Sequence, residues 1–330
     1  MGLPRVAVFS MGGTISSVDS GGKGVEPTLT GEALVSDVPE IAGVADVSAV
    51  SFRQAASGEL RVEDLVELAA EISGRIDGGA AGAVITQGTD TIEETSFCLD
   101  LLVEREAPIV VTGAMRNPTL PGADGPANLL AAIQVVASDA ARGLGTMVVL
   151  NDEIHAARFV RKSHTSNPAT FRSDPVGPLG WISEGVPRIL MRPTGEHKVT
   201  LPENAQGHPV ALYHVALGDD GRLLPEIKEA GFAGLVVEAM GGGHVPSLMV
   251  ETLENLASEM PVVLASRTGG GEVLRSTYGF VGSETDLLER GLIHAGPLDG
   301  RKARLLLILL LMSGATKEGI KEIFGTWLEV

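Results

Sequence analysis

The strongest constraint on this chain is a repeated alternation of short β-branched apolar runs with longer stretches of helical period. The runs fall at 5–10, 83–86, 109–112, 146–150, 210–215, 234–238 and 262–265. Several are apolar at nearly every position, as strands are when helices cover both faces of their sheet. Between them, 62–76, 92–104, 126–140, 250–259 and 301–312 space their apolar residues three and four apart, the pattern of helices with a buried face. This alternation predicts an α/β protein with mainly parallel sheets.

The rhythm stops at 192–209, which holds three prolines, two glycines and scattered charge without an apolar period. That composition predicts a linker. A chain of 330 residues also exceeds what one hydrophobic core usually organises. The expected architecture is two α/β domains: a larger N-terminal domain, 1–191, with a mainly parallel sheet, and a smaller flavodoxin-like domain at 210–330.

Charge narrows the partners. With 25 basic against 42 acidic residues the net charge is −17, which argues against a nucleic-acid partner, since phosphate binding needs clustered Lys and Arg. Cys98 is the only cysteine, so no intramolecular disulfide forms. Its apolar helical setting predicts a buried, inert thiol. The longest apolar run, 305–312, falls well short of the ~20 residues that span a bilayer. The N-terminus enters a strand without a signal-peptide pattern. No membrane partner is expected, and the expected location is cytoplasmic.

Polar residues cluster where strands end. The first run leads into Ser10-Met11-Gly12-Gly13-Thr14-Ile15-Ser16. In open parallel sheets ligands bind beyond the carboxyl ends of the strands. Two glycines there let the backbone turn tightly and leave N–H groups free as oxyanion donors. Thr14 then presents a hydroxyl, and the Ser- and Gly-rich stretch 16–24 suits a mobile lid. The bland alternative is an ordinary strand–turn with a helix cap. The run at 83–86 ends in Gln87-Gly88-Thr89-Asp90-Thr91, again a glycine turn that delivers a threonine, now beside an aspartate. Here Asp90 or Thr91 as a plain helix cap is the competing reading. After 146–150, Asn151-Asp152 opens a polar segment that reaches Lys162. Lysine in a closed site loses its proton more easily and serves as a base, whereas most lysines are simply solvated.

Other chemistries fall away. No two of the seven histidines have zinc-ligand spacing, and the glycine triplets at 241–243 and 269–271 sit in neither a P-loop nor a dinucleotide frame. Neither a metal nor a cofactor is expected. Gly113-Ala114-Met115-Arg116 and Ala123-Asp124-Gly125-Pro126 read as a loop and a helix start with early proline.

Taken together, Gly12-Gly13-Thr14-Ile15, Gly88-Thr89-Asp90-Thr91 with Glu93-Glu94-Thr95, Gly113-Ala114-Met115-Arg116, Asp124-Gly125-Pro126-Ala127-Asn128-Leu129, Asn151-Asp152, 171–180 and Tyr278-Gly279-Phe280 resemble the bacterial-type L-asparaginase and glutaminase-asparaginase family over nearly the whole chain. The resemblance implies that Thr14 attacks the side-chain amide and forms an acyl-enzyme, with Thr89, Lys162 and Asp90 as a second polar triad for proton transfer. It implies that Asp90 binds the α-ammonium group of a small-molecule substrate, L-asparagine and more weakly L-glutamine. Ser57 and backbone N–H groups would hold its carboxylate, with Gly58 alongside, and Gly13 and Thr89 would offer oxyanion donors. Glu272 matches a glutamate contributed by a neighbouring subunit, which implies a homotetramer built from close dimers.

Three positions depart from the family pattern. The family's mobile loop usually supplies a tyrosine, but the only tyrosines here are Tyr213 and Tyr278. Gly58 stands where glutamine or glutamate is common, and Gly241-Gly242-Gly243-His244 replaces a family asparagine. Two further readings remain at this level: a non-catalytic sensor of asparagine or aspartate, and a deamidating subunit of the amidotransferase type.

Overall fold

The computed structural model describes residues 2–19, 25–27, 30–194 and 197–327. The chain forms two units, divided between Lys198 and Val199. In the first unit, the strands are β1 (Arg5–Ser10), β2 (Ser17–Asp19), β3 (Val25–Pro27), β4 (Asp46–Ser51), β5 (Gly82–Thr86), β6 (Ile109–Thr112), β7 (Thr146–Leu150), β8 (Glu153–Ala156), β9 (Arg161–Lys162), β10 (Phe171–Arg172), β11 (Gly180–Ser183) and β12 (Val186–Ile189). Its helices are α1 (Gly31–Ser36), α2 (Val62–Asp77), α3 (Ile92–Leu102) and α4 (Gly125–Val136).

Eight of these strands make one sheet in the order β12-β11-β8-β7-β6-β5-β1-β4. From β4 to β7 neighbouring strands are parallel, and β8, β11 and β12 extend the sheet antiparallel. Side chains alternate between two cores. Val6, Val8, Val84, Val110 and Val149 pack with Leu34 of α1 and Leu129, Ile133 and Val136 of α4. On the other face Phe9, Ile85, Ile109, Val111 and Val148 pack with Leu68 and Ile72 of α2 and Ile92 and Leu99 of α3. This double coverage explains the continuous apolar runs. Each fully buried Ile, Phe or Leu contributes about 1.5–3 kcal/mol of transfer free energy.

The second unit contains β13 (Val210–His214), β14 (Gly234–Ala239), β15 (Val262–Ser266) and β16 (Ile293–His294), all parallel and in sequence order. Its helices are α5 (Leu224–Glu229), α6 (Val250–Glu259), α7 (Glu284–Glu289), α8 (Gly300–Met312) and α9 (Lys317–Thr326). Leu235, Val237, Val262 and Leu264 pack with Val250, Leu253 and Leu256 of α6, and α8 packs against β13 and β14. The α/β architecture with a mainly parallel sheet and a second, separate parallel sheet is as the alternation predicts. Among the described residues no helix is long and apolar enough to cross a membrane.

Several elements escaped the pattern, among them the strands β8, β11 and β12 and the helices α1, α5, α7 and α9. The edge strand β4 mixes exposed and half-buried residues and buries none fully, so its sequence lacks a continuous apolar run. The two-residue strands β9, β10 and β16 are too short to show a period.

Candidate active site

The site lies at the carboxyl ends of β1 and β5. Ser10 and Thr86 are register partners, and Met11 N–H donates to the Thr86 carbonyl at 2.8 Å, so both strands stop at one level. Beyond Met11, Gly12 and Gly13 take left-handed φ values of 96° and 85°, which L side chains adopt only at a cost. Space demands glycine as well. A Cβ on Gly12 would lie 2.6 Å from the Ala55 carbonyl oxygen, and one on Gly13 only 2.0 Å from the Gly88 nitrogen. On Gly88 it would meet the Ser57 Oγ at 2.8 Å. Bare backbone thus stacks three loops, 11–14, 55–58 and 87–90, into one floor. Thr14, half-buried, follows at the start of a single 3-10 turn, Thr14–Ser16.

Thr89 is buried and Asp90 is exposed, with 78% of its side chain open. Lys162 reaches them from β9: its Nζ donates to Thr89 Oγ1 at 2.9 Å and to Asp90 Oδ1 at 2.6 Å. Only 14% of the Lys162 side chain is exposed, so it is not a solvated surface lysine. Thr91 holds the N-cap position of α3 but makes no side-chain cap bond. Thr91 Oγ1 instead donates to the Ser57 carbonyl at 3.3 Å, and Gln87 Nε2 donates to Thr91 Oγ1 at 3.2 Å. These bonds tie the loop of Ser57 to the loop of Thr89.

The structure therefore brings Gly13, Thr14, Ser57, Thr89, Asp90 and Lys162 to one end of the first sheet. Ser57 is buried there, and the adjacent Gly58 is exposed. Glu272 belongs to the second unit and is exposed after β15. Residues 20–24 of the expected lid lie outside the described residues. Both tyrosines, 213 and 278, are in the second unit. Cys98 is fully buried, and burial pushes its thiol up to about 12.

Several supporting residues were not anticipated. Glu93 is buried and accepts the Lys162 backbone N–H at 2.6 Å. The available signal was α3 itself, buried at Ile92, Glu93 and Thr95 through Leu101, where an acid has no solvent to face. Asp124, read from the sequence as part of a helix start and of the motifs carrying the resemblance, accepts N–H bonds from Met115 and Arg116 at 3.0 and 2.8 Å. Asn128 joins the Gly113 carbonyl to the Asn151 N–H at 3.0 Å each. This bracket fixes the loop after β6, whose Gly113 lies against Thr89.

One arrangement away from the site has the order of a hydrolytic triad. His155 Nδ1 lies 2.9 Å from Ser173 Oγ, and Nε2 lies 3.4 Å from Glu153 Oε2. Ser173 is 2% exposed, so no external substrate reaches its hydroxyl. Burial, with a smaller effect from Arg172, lowers the His155 pKa to about 4. Among the described residues no cluster of His, Cys, Asp and Glu has the arrangement of a metal site.

Comparison with known proteins places the chain in a family. The description "Asparaginase, N-terminal" matches residues 5–194, and "Glutaminase/Asparaginase C-terminal domain" matches 209–324. The chain is 34% identical to an L-asparaginase of Bacillus licheniformis over 97% of its own length and 98% of the relative's. It is 36% identical to a probable L-asparaginase of Deinococcus radiodurans, with 98% and 97% covered. The crystal structure of a probable cytoplasmic L-asparaginase from Campylobacter jejuni superposes with a TM-score of 0.89 at 31% identity, covering 97% of this chain and 99% of that one. Both domain descriptions match in order, and these relatives are covered almost end to end: the chain belongs to the asparaginase family.

Proposed function

We propose that the protein hydrolyses the side-chain amide of L-asparagine to L-aspartate and ammonia, with Thr14 as nucleophile. The observation that carries this reading is the stacking of Gly13 on Gly88, which sets the turns of Thr14 and Thr89 side by side with Lys162 Nζ hydrogen-bonded to Thr89 and Asp90. The relatives named L-asparaginase support the choice of substrate.

In this mechanism the Thr14 hydroxyl attacks the amide carbon, and its proton passes to the departing nitrogen, which leaves as ammonia. Lys162, oriented by Asp90, relays the proton through Thr89 or a water. Water then attacks the ester carbon, restores the Thr14 hydroxyl and releases aspartate. Gly13 and Thr89 N–H groups stabilise the oxyanion. Asp90 keeps one carboxylate oxygen for the α-ammonium group, and Ser57, beside Gly58, takes the α-carboxylate. Glu272 comes from a partner subunit within a homotetramer of close dimers. The catalytic threonines belong to a domain at 1–191, joined by 192–209 to the domain at 210–330.

Asparagine is preferred over glutamine, and the protein acts in the cytoplasm, as the name of the Campylobacter jejuni structure supports; a probable periplasmic L-asparaginase of Haemophilus influenzae is a relative at 32% identity. Ammonia release from L-asparagine, L-glutamine and D-asparagine by purified protein tests the reading. Thr14→Ala is expected to abolish turnover. Near-wild-type turnover in that variant sinks the nucleophile assignment, and no turnover by the wild type at any pH favours a sensor.

A further inference from the structure

Lys162 is held in an unusual way for a residue whose amine must be placed to within a fraction of an ångström. It does not lie on the eight-stranded sheet. Its strand β9 has two residues and pairs only with the two-residue strand β10, Lys162 opposite Phe171. The next bond of this ribbon runs from Ser163 N–H to the Thr170 carbonyl. Such a short ribbon fixes its own backbone weakly, yet the long side chain must still bring Nζ to two acceptors.

The backbone N–H of Lys162 is donated to Glu93 Oε2 at 2.6 Å, and α3 packs against β9. Glu93 is 1% exposed. A buried carboxylate is costly unless its oxygens accept strong hydrogen bonds, and a 2.6 Å bond from an N–H is of the charge-assisted kind. The first turn of a helix, where Glu93 sits, also favours negative charge. Thr89, Asp90 and Glu93 lie within five consecutive residues. One short, rigid piece of chain therefore grips the lysine at both ends, its amine through Thr89 and Asp90 and its backbone through Glu93.

We propose that Glu93 is a positioning residue for the reaction, its carboxylate anchoring the Lys162 backbone so that Nζ stands at Thr89 Oγ1 and Asp90 Oδ1. This rests on the reading of Lys162 as part of the proton-transfer machinery. Glu93 acts through the Lys162 backbone, so its loss acts on kcat. KM is spared, because the groups assigned to substrate binding keep their places.

Two variants separate the anchor from mere packing. Glu93→Gln keeps a carbonyl oxygen as acceptor; Glu93→Met keeps length and apolar stem but accepts no hydrogen bond. With L-asparagine, kcat of the methionine variant is expected to fall by about 10–100-fold with KM within about twofold, the scale of a small misplacement of a catalytic group. The glutamine variant is expected to retain kcat within about threefold, since a neutral acceptor replaces a charged one. A crystal structure of Glu93→Met is expected to show Lys162 Nζ displaced from Thr89 while Thr89 stays in place.

A folded methionine variant with wild-type kcat, or with Lys162 unmoved, overturns the proposal. If the methionine variant does not fold, the glutamine variant decides: folded and active supports the anchor, folded and inactive overturns it. A wild-type protein without asparagine turnover, combined with displaced Lys162 in the methionine variant, leaves the anchor standing and removes the asparaginase reading instead.

Discussion

Gly13 and Gly88 meet backbone to backbone, so closely that a Cβ on Gly13 would sit 2.0 Å from the Gly88 nitrogen. The two residues are 75 positions apart in sequence and belong to the turns that deliver Thr14 and Thr89. Each glycine-threonine turn alone is an ordinary strand end. Joined by this contact, they form one polar floor with Ser57 beneath Gly88.

Gly13→Ala is expected to force these turns apart. The left-handed backbone costs about 1–2 kcal/mol for an L residue, and overpacking against backbone adds about 1–3 kcal/mol. Thermal melts should show a lower Tm, and asparagine turnover should be lost. A variant with native Tm and full turnover would mean that the two turns are not in contact.

Lys162 and Thr89 are expected to act as a unit. Lys162→Met and Thr89→Val should each cut kcat by about 10³-fold or more, and the double variant should lose little beyond the worse single one, as cooperating groups do. Additive losses in a double-mutant cycle would show that the 2.9 Å bond between them carries no coupling.

His155 gives the fold an acid sensitivity. Its pKa is lowered from 6.5 to about 4, first by burial and then by Arg172; Glu153, 3.4 Å away, does not outweigh burial. Between pH 6.5 and pH 4 the unfolded chain therefore binds a proton that the folded one does not, so stability falls as pH drops through this window. The loss amounts to about 3 kcal/mol by pH 4, and below pH 4 the contribution no longer changes. Urea unfolding of wild type and His155→Gln at pH 7 and pH 4.5 checks this: the variant's stability should depend less on pH. Parallel profiles would assign the acid lability elsewhere.

Glu284 is fully buried in the second unit and accepts N–H bonds from Thr277 at 2.9 Å and Tyr278 at 2.8 Å through Oε1, while Oε2 lies 3.2 Å from His244 Nε2. Burial pushes its carboxyl up, but the N–H donors outweigh it and hold the group below its ordinary range. Glu284→Ala strands the two backbone donors and should destabilise by about 2–6 kcal/mol, at roughly 1–3 kcal/mol for each unsatisfied group. Glu284→Gln, which keeps an acceptor, should cost less. Equal melts for the two variants would show that the accepted bonds contribute nothing.

Much of the fold was legible because strand and helix periods are local. The apolar runs at 5–10, 109–112 and 146–150 coincide with β1, β6 and β7, and the period at 250–259 coincides with α6. β4 was not legible, because an edge strand with half-buried residues has no continuous apolar run. The end of α4 at Val136, short of position 140, escaped for a related reason: apolar residues continue into the next turn, so composition alone marks no stop.

The sequence by itself determined the α/β class, the glycine-threonine turns at strand ends, and the burial of Cys98 within an apolar helix. These follow from residue spacing and backbone freedom, which act over a few positions. Only the tertiary structure decided that Ser57 lies under Gly88, that the Thr91 side chain ties to Ser57 and makes no cap bond, and that Glu93 grips the backbone of Lys162. Those contacts join residues 31 to 69 positions apart. They depend on β1 lying between β4 and β5 with Ser10 level with Ser51 and Thr86, and strand order and register are properties of the packed sheet, with no local period in the chain to announce them.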